Sequence, residues 1–243
     1  MAVRSTPEPV SQTPSHPRIS LIVPTLNEAT RIGTFLDCVQ AMRERDVEVV
    51  LVDGGSSDDT CEQVKTRVDL LIQTAPGRGA QMRAGAARAS GEILWFVHVD
   101  SQLPPNADQF VRQSINDRVI AWGYFNVRLH PTGWLLRCVE VAMNARVQLS
   151  NVATGDQGIF VTRTLYEKVG GMPDISLMED VKLSKRLRDV VKPIRISESI
   201  TTSSRRWRQH GVLRTIAKMW WLRFLYFIGV PPSRLARYYR PSP

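Results

Sequence analysis

The stretch Ile93-Leu94-Trp95-Phe96-Val97-His98-Val99-Asp100 decides the predicted fold. Its continuous apolar run over 93–97 is typical of a strand that is buried on both faces, as in a parallel sheet. In an extended chain, residues i and i+2 point to the same side, so we expect His98 and Asp100 to face one metal ion together. Ligand sites of open α/β sheets lie at the carboxyl ends of the strands, which is where this pair falls.

Strands and helices alternate ahead of this stretch. Three apolar runs predict strands, and each is followed by a segment that favours a helix; the runs are Ile19–Val23, Val47–Val52 and Leu70–Gln73. This alternation predicts an α/β fold with a mostly parallel central sheet flanked by helices. After Pro105 the pattern loosens, and it predicts a strand pair within Val119–Leu129, a helix over 134–150, a strand at Ile159–Thr162 and a helix at Met178–Asp189.

The composition fits one domain with an added segment. The chain has 243 residues, of which 43% are hydrophobic, and this is ample for a core. Its three cysteines lack a CxxC spacing and no apolar leader precedes them, so we expect reduced thiols, no secretory signal and a cytoplasmic location. Prolines among Ser and Thr predict disorder over 1–17. The domain is expected over 18–210, followed by a helical extension over 211–243.

The end of the chain is basic and aromatic. Residues 201–243 hold nine Arg and Lys side chains and no Asp or Glu, so they account for the whole net charge of +9. Such a segment could meet a lipid surface, a nucleic acid or a phosphorylated substrate. Its apolar part, Met219–Val230, is too short to span a membrane, which takes about 20 residues. We favour aromatic side chains that pack on the domain as closing helices; the alternative is a peripheral contact with the inner face of the membrane.

Polar residues follow the first two predicted strands. The loop Pro24-Thr25-Leu26-Asn27-Glu28 offers free backbone N–H groups and a helix N-terminus, which suit a phosphate or a ribose. Asp53 ends the second strand, where a carboxylate can accept hydrogen bonds from a nucleobase or a ribose. The alternative is an ordinary turn with a helix cap at Ser57 or Asp58. We favour the cap for these two residues and a binding role for Asp53.

A helix rich in small residues is predicted over Gly77–Ala89. Its start resembles a phosphate loop only loosely, because it matches neither GxGxxG nor the P-loop pattern. The small residues allow the helix to pack closely on the sheet. Arg78 and Arg83 are the candidates for contact with a nucleotide on this helix.

Two charged pairs lie further along the chain. Glu179-Asp180 opens a helix, so one carboxylate could act as a general base and the other as its orienting partner. The alternative is a solvated helix start, where the dipole favours acidic residues. Arg206-Trp207 places a guanidinium beside an indole, and arginine is well suited to bidentate phosphate binding. The alternative for this second pair is a basic surface run.

These elements, in this order, resemble the family 2 inverting glycosyltransferases of the GT-A fold. The resemblance spans about residues 18–210 and rests on Val23–Glu28, Val52–Thr60, Gly77–Gly85, Ser90–Glu92 with His98–Ser101, Glu179-Asp180 and Arg206-Trp207. Within that family, three segments look like one small bacterial subfamily that is labelled arsenosugar-biosynthesis glycosyltransferases: His98–Asp100, Gly155–Gly158 and Leu177–Val181.

The resemblance implies a role for each matching residue. The nucleotide pocket would be lined by Pro24, Thr25, Glu28, Asp53 and Arg83. Asp100 matches the second acid of the family's DxD motif and would bind metal and pyrophosphate, and His98 replaces the first acid. Asp180 matches the general base. Arg206 and Trp207 match the last two residues of QxxRW, near the diphosphate.

We therefore expect an enzyme that moves a sugar from a nucleoside diphosphate sugar to an acceptor hydroxyl with inversion. A divalent ion, Mn²⁺ or Mg²⁺, is expected at Asp100 with His98, and the imidazole favours Mn²⁺. The acceptor is a small molecule or a lipid-linked molecule, and no nucleic-acid partner is expected. One alternative is a sugar nucleotidyltransferase, which would want glycine and a basic residue after the first strand. The other is a binding module for nucleotide sugars or nucleic acid without catalysis.

Overall fold

The computed structural model describes residues 18–131, 133–204 and 211–239. The segment predicted to be disordered, 1–17, and the pair Arg206-Trp207 lie outside these ranges. The strands are β1 Ile19–Thr25, β2 Val47–Asp53, β3 Leu70–Gln73, β4 Ile93–Phe96, β5 Ser101–Gln102, β6 Trp122–His130, β7 Phe160–Thr162 and β8 Ile194–Ser203. The α-helices are α1 Ala29–Arg43, α2 Thr60–Val64, α3 Arg78–Arg88, α4 Ala107–Ile115, α5 Trp134–Ser150, α6 Arg163–Lys168, α7 Glu179–Arg188, α8 Val212–Phe227 and α9 Pro232–Tyr239. A 3₁₀ turn covers Gly155–Gln157.

The strands form one mixed sheet in the order β3-β2-β1-β4-β7-β6-β8-β5. The first four strands in this order pair in parallel, as do β6 and β8. Antiparallel pairs join β4 to β7, β7 to β6, and β8 to β5. The predicted α/β fold with flanking helices is confirmed, and three of its four parallel pairs lie in the N-terminal half.

Two predicted strands differ from the structure. Val119–Leu129 was expected to hold a strand pair, which is wrong: one strand, β6, runs over nine residues and pairs with β8, with a bulge at Phe125/Asn126. The strand predicted to begin at Ile93 ends at Phe96, and the chain turns so that the N–H of Ser101 donates to the C=O of His98 at 3.1 Å. The alternation expected for His98 and Asp100 therefore does not apply.

The apolar runs of β1 and β2 are buried on both faces of the sheet. Leu21 packs into the cluster that contains Leu36 of α1, whereas its neighbour Ile22 packs into the cluster that contains Met82 of α3. A Cβ atom on Gly85 would lie 2.6 Å from Cγ2 of Ile22, so a small residue lets α3 lie close to the sheet. Each buried aliphatic side chain contributes about 1.5–3 kcal/mol, which fixes both helices on the sheet.

Helices α8 and α9 close the domain through aliphatic side chains. Leu222 and Leu235 are buried in one cluster with Leu177, Met178 and Val181, next to the start of α7. The prediction that the aromatic side chains pack inward is wrong for four of them, since Trp220, Trp221, Phe224 and Phe227 are 54–80% exposed. Among the described helices, none is long and apolar enough to cross a membrane.

Candidate active site

A large cleft of about 2870 Å³ opens where β1 and β4 end, opposite the start of α7 and helices α5, α8 and α9. Its lining combines the loop after β1 with charged side chains from several distant segments. Six of these bear on the chemistry: Glu28, Arg78, His98, Asp100, Asp156 and Asp180. Five of them were predicted as site residues, and Asp156 joins them because the 3₁₀ turn Gly155–Gln157 borders the same cleft.

Asp53 organises the loop after β2 from within. Its side chain is fully buried; Oδ2 accepts the N–H groups of Gly55 and Ser56, each at 2.9 Å, and Oδ1 accepts the Ser56 hydroxyl. Burial raises the pKa of Asp53, but the hydrogen bonds from Ser56 and Gly55 outweigh it and hold the pKa below its usual value. The carboxylate is therefore ionised and shapes the loop. Its predicted contact with the nucleotide stays a prediction.

The loops after β1 and β2 are tied together by side chains. Asn27 accepts the N–H of Ser57 at 2.9 Å, and its own N–H donates to the hydroxyl of Ser56 at 2.8 Å. Asp58 accepts the N–H of Ala29 and the N–H of Thr60, each at 3.1 Å, and so supports the starts of both α1 and α2. The contact expected of Asp58 at the start of α2 is therefore present, and Asp58 makes the same kind of contact at the start of α1.

Gln81 is a structural residue that the sequence analysis missed. It is buried on α3, and its Nε2 donates to the carbonyl groups of Thr25 and Val52, each at 2.8 Å. The side chain therefore joins the carboxyl ends of β1 and β2, directly under Pro24 and Thr25. A lone amide among the glycines and alanines of this helix was the available signal.

The turn after β4 brings His98 against Gly155. A Cβ atom on Gly155 would lie 2.3 Å from His98 Nε2, so only glycine fits there. Burial, assisted by Arg78, lowers the pKa of His98, and the imidazole is therefore neutral at pH 7. Burial also raises the pKa of Asp156, with Asp100 adding to the effect. Asp100 itself is exposed to the cleft.

The start of α7 places two carboxylates in different surroundings. Met178 has a left-handed backbone (φ +67°), an uncommon conformation for a long side chain, and it turns the chain into the helix. Glu179 is buried and forms an ion pair with Nε of Arg78 at 2.9 Å. Burial raises the pKa of Glu179, and Arg78 opposes this rise. The predicted nucleotide ligand Arg78 is thus also the partner of a predicted catalytic residue.

Asp180 faces the cleft and links the start of α7 to the 3₁₀ turn at Gly155–Gln157 through hydrogen bonds. Its Oδ1 accepts the N–H of Val181, and its Oδ2 accepts the N–H of Gly155, both at 2.7 Å. Each carboxylate oxygen can accept a second hydrogen bond, so Asp180 retains the capacity to take a proton from a molecule in the cleft.

Not every predicted residue reaches the cleft. Arg83 is exposed but does not line the cleft, whereas Arg78 on the same helix does. Five residues along an α-helix turn the side chain by roughly 140°, so the two arginines cannot share a face. The prediction that Arg83 lies at the nucleotide pocket is therefore not supported by its position. Arg206 and Trp207 fall outside the described ranges.

Comparison with known proteins agrees with this architecture. Residues 20–127 match the family model described as Glycosyl transferase family 2. An uncharacterized glycosyltransferase of Nostoc sp. is 30% identical over 96 residues, which are 37% of this chain and 30% of that protein. The matched part of this chain thus spans about a third of that relative's length.

Two solved structures share the fold. The mannosyltransferase PcManGT from Pyrobaculum calidifontis, in complex with GDP-Man and Mn²⁺, gives a TM-score of 0.61 at 23% identity, covering 88% of this chain and 67% of that chain. S. aureus TarS 1–349 in complex with UDP-GlcNAc gives a TM-score of 0.63 at 18% identity, covering 77% and 59%. Residues 20–127 therefore match the family 2 glycosyltransferase model, and the domain has a GT-A-like fold.

Proposed function

We propose that the protein transfers a sugar from a nucleoside diphosphate sugar to an acceptor hydroxyl, with inversion at the anomeric carbon. The observation that carries this proposal is Asp180, which faces a cleft bordered by the loops after β1 and β4 and is held by the N–H groups of Val181 and Gly155. The alternative of a non-catalytic module gains no support from this arrangement, because the carboxylate of Asp180 lines the same cleft as Glu28 and Asp100 of the region that matches the family 2 model.

The donor nucleotide would lie along the loop after β1. Pro24, Thr25 and Glu28 border the cleft there, and Gln81 holds the ends of β1 and β2 together beneath them. The resemblance to proteins solved with GDP-Man or UDP-GlcNAc supports a nucleotide sugar of either kind. The loop after β1 lacks the glycine and basic residue expected of a nucleotidyltransferase.

The diphosphate would lie near Asp100. Within the described ranges, no group of three or more His, Cys, Asp or Glu side chains is placed to hold a metal ion. Asp100 and His98 nevertheless fit a divalent ion that takes its remaining ligands from the diphosphate and water, a common arrangement for Mg²⁺. His98 is neutral and Asp100 is exposed to the cleft, so both offer lone pairs. When bound, such an ion would neutralise charge on the departing diphosphate.

The chain's own residues would carry the proton and fix the geometry. The acceptor oxygen forms a bond to the anomeric carbon while the bond from that carbon to the diphosphate oxygen breaks, and the diphosphate leaves with the electron pair. Asp180 takes the acceptor proton as general base. Glu179 positions Arg78 at the cleft through their ion pair, where the guanidinium can face the diphosphate. The backbone N–H of Gly155 orients the carboxylate of Asp180.

The substitution Asp180→Asn tests the proposal, because it keeps the shape of the side chain and removes its basicity. We expect kcat to fall by about 10²-fold or more while donor affinity stays within a few fold. The matched control is Asp174→Asn, which changes an exposed carboxylate shortly before α7. Normal turnover in the Asp180 variant, with donor binding intact, would move the role to another carboxylate and contradict the proposal.

A metal-chelation experiment tests whether activity depends on a divalent ion. Activity should vanish in EDTA and return with Mn²⁺ more fully than with Mg²⁺, since an imidazole nitrogen suits Mn²⁺ better. Unchanged activity in EDTA would contradict a role for the metal ion. Equal rescue by Mn²⁺ and Mg²⁺ would contradict the assignment of His98 as a metal ligand. The resemblance to the arsenosugar subfamily, and the location at the cytoplasm or membrane face, stay predictions.

A further inference from the structure

Two arginines line the cleft on the side formed by α5 and α8. Arg146 donates from Nη1 to the carbonyl of Val152 at 3.1 Å, but its Nη2 is buried without a hydrogen-bond partner among the described residues. The Nε of Arg223 is also buried without a hydrogen-bond partner among the described residues. Neither guanidinium forms an ion pair within the described ranges.

Unpartnered buried donors on charged groups are rare, because desolvation costs them more than neutral groups. The two guanidiniums are also close enough to repel each other. Burial, and then Arg223, lower the pKa of Arg146 to about 10, while Asp180 and Asp156 oppose the fall. The pair therefore lacks an anion, and the nearest carboxylates are those of the proposed catalytic centre.

The position of the pair separates it from the proposed donor end. The residues assigned to the donor lie on the loops after β1 and β4 and at the start of α3. Arg146 and Arg223 belong to helices on the opposite side of the cleft, where Val152 and Leu222 pack with the start of α7. Asp180 interacts electrostatically with His98 on one side and with Arg146 on the other.

We propose that Arg146 and Arg223 bind an anionic group of the acceptor, a phosphate above all, and thereby hold the acceptor hydroxyl at Asp180. This inference rests on the proposed function for the identity of the ligand as acceptor. Guanidinium groups recognise phosphate oxygens through paired N–H donors, and Nη2 of Arg146 and Nε of Arg223 are the donors left without a partner.

The phosphate could belong to a soluble molecule or to a lipid. The wall of the cleft next to the pair is apolar and includes Val139, Ala142 and Met143 of α5 and Met219 of α8. A hydrocarbon chain could follow this wall, whereas a small phosphorylated molecule would use the arginines alone. The test therefore needs one arm for each source.

Phosphate binding can be measured without knowing the acceptor. Inorganic phosphate and glycerol phosphate are titrated calorimetrically into the full chain and into Arg146→Gln and Arg223→Gln. Either substitution should weaken binding about tenfold or more, the scale of a lost hydrogen bond to a charged group. Arg137→Gln is the matched control, since Arg137 is an exposed arginine of α5 that does not line the cleft. Arg78→Gln reports binding at the donor end.

Stability separates ligand binding from a structural role. Removing one of two repelling guanidiniums should leave the melting temperature equal or higher, whereas arginines that support the fold would lower it. Arg146→Lys keeps the charge and should retain part of the phosphate affinity. If neither Arg146→Gln nor Arg223→Gln changes the phosphate affinity, the proposal is overturned. It is also overturned if Arg78→Gln alone lowers the phosphate affinity as much as these two substitutions do.

The lipid arm uses vesicles of phosphatidylcholine with and without phosphatidic acid. Binding that needs phosphatidic acid and is weakened by Arg146→Gln and Arg223→Gln identifies a lipid phosphate; a response to glycerol phosphate alone identifies a soluble one. No response in either arm overturns the proposal. Asp180→Asn should bind phosphate at least as tightly as the native protein, because it removes a negative charge near Arg146, so a failure of the base assignment and a failure of this site are distinguishable.

Discussion

The two sides of the cleft differ in how their polar groups are satisfied. On the donor side, the side chains of Asp53, Asn27 and Gln81 form hydrogen bonds within the protein. These hydrogen bonds hold the loops after β1 and β2 in place. On the opposite side, Arg146 and Arg223 keep buried donors without partners. Satisfied networks rigidify a structure, and unsatisfied groups mark places where a ligand completes it. The comparison indicates that one side is preorganised and the other is completed by its ligand.

Breaking the network on the donor side should lower stability more than any substitution of Arg146 or Arg223. Gln81→Leu leaves the carbonyl groups of Thr25 and Val52 without this donor in the core. Because each carbonyl loses a hydrogen bond in a buried site, we expect the free energy of unfolding to fall by about 2–4 kcal/mol. Urea denaturation measures the change, and Gln148→Leu on the exposed face of α5 is the control. A loss no larger than the control's would mean that the donor side is not held by this network.

The sequence predicted the donor side better than the opposite side, for a physical reason. Ile19 and Val47 begin strands as predicted, because continuous apolar runs specify buried strands locally. Even on the donor side, the surroundings of His98 depend on a turn and on Gly155, which lies more than fifty residues away, and no local pattern encodes such a contact. The position of Arg146 in an amphipathic helix predicts a solvated side chain, whereas the structure buries its Nη2 atom.

The ionisation of Asp156 should make the stability of the protein depend on pH. Its pKa in the folded protein is raised above the unfolded value of 3.8, mainly by burial, so the folded state holds a proton that the unfolded state has already released. Stability is therefore lost as pH rises from the unfolded pKa to the folded pKa, and it stays reduced above that window.

Asp156→Asn removes this charge and should stabilise the protein at neutral pH by roughly 0.5–2 kcal/mol, the usual scale for relieving a functional site. Below the unfolded pKa the two proteins should be equally stable, because the native carboxyl group is then neutral as well. Chemical denaturation in a chelator-containing buffer at both pH values gives the comparison. A variant that is less stable than the native protein at neutral pH would show that Asp156 is held by favourable contacts rather than penalised by burial.

The smallest effect should come from the exposed aromatic residues of α8. Trp220 and Trp221 are 70% and 58% exposed, so replacing both with Ala removes little buried surface and should change the free energy of unfolding by no more than about 0.5 kcal/mol. Leu222, the next residue, is only 1% exposed, and Leu222→Ala should cost about 2–5 kcal/mol. The contrast between adjacent positions tests whether α8 packs by its aliphatic face alone.

If the double tryptophan variant is as unstable as Leu222→Ala, the aromatic side chains belong to the core. If it keeps full stability but loses salt-sensitive binding to anionic vesicles, these side chains form a lipid-facing surface, as the basic residues around them would favour.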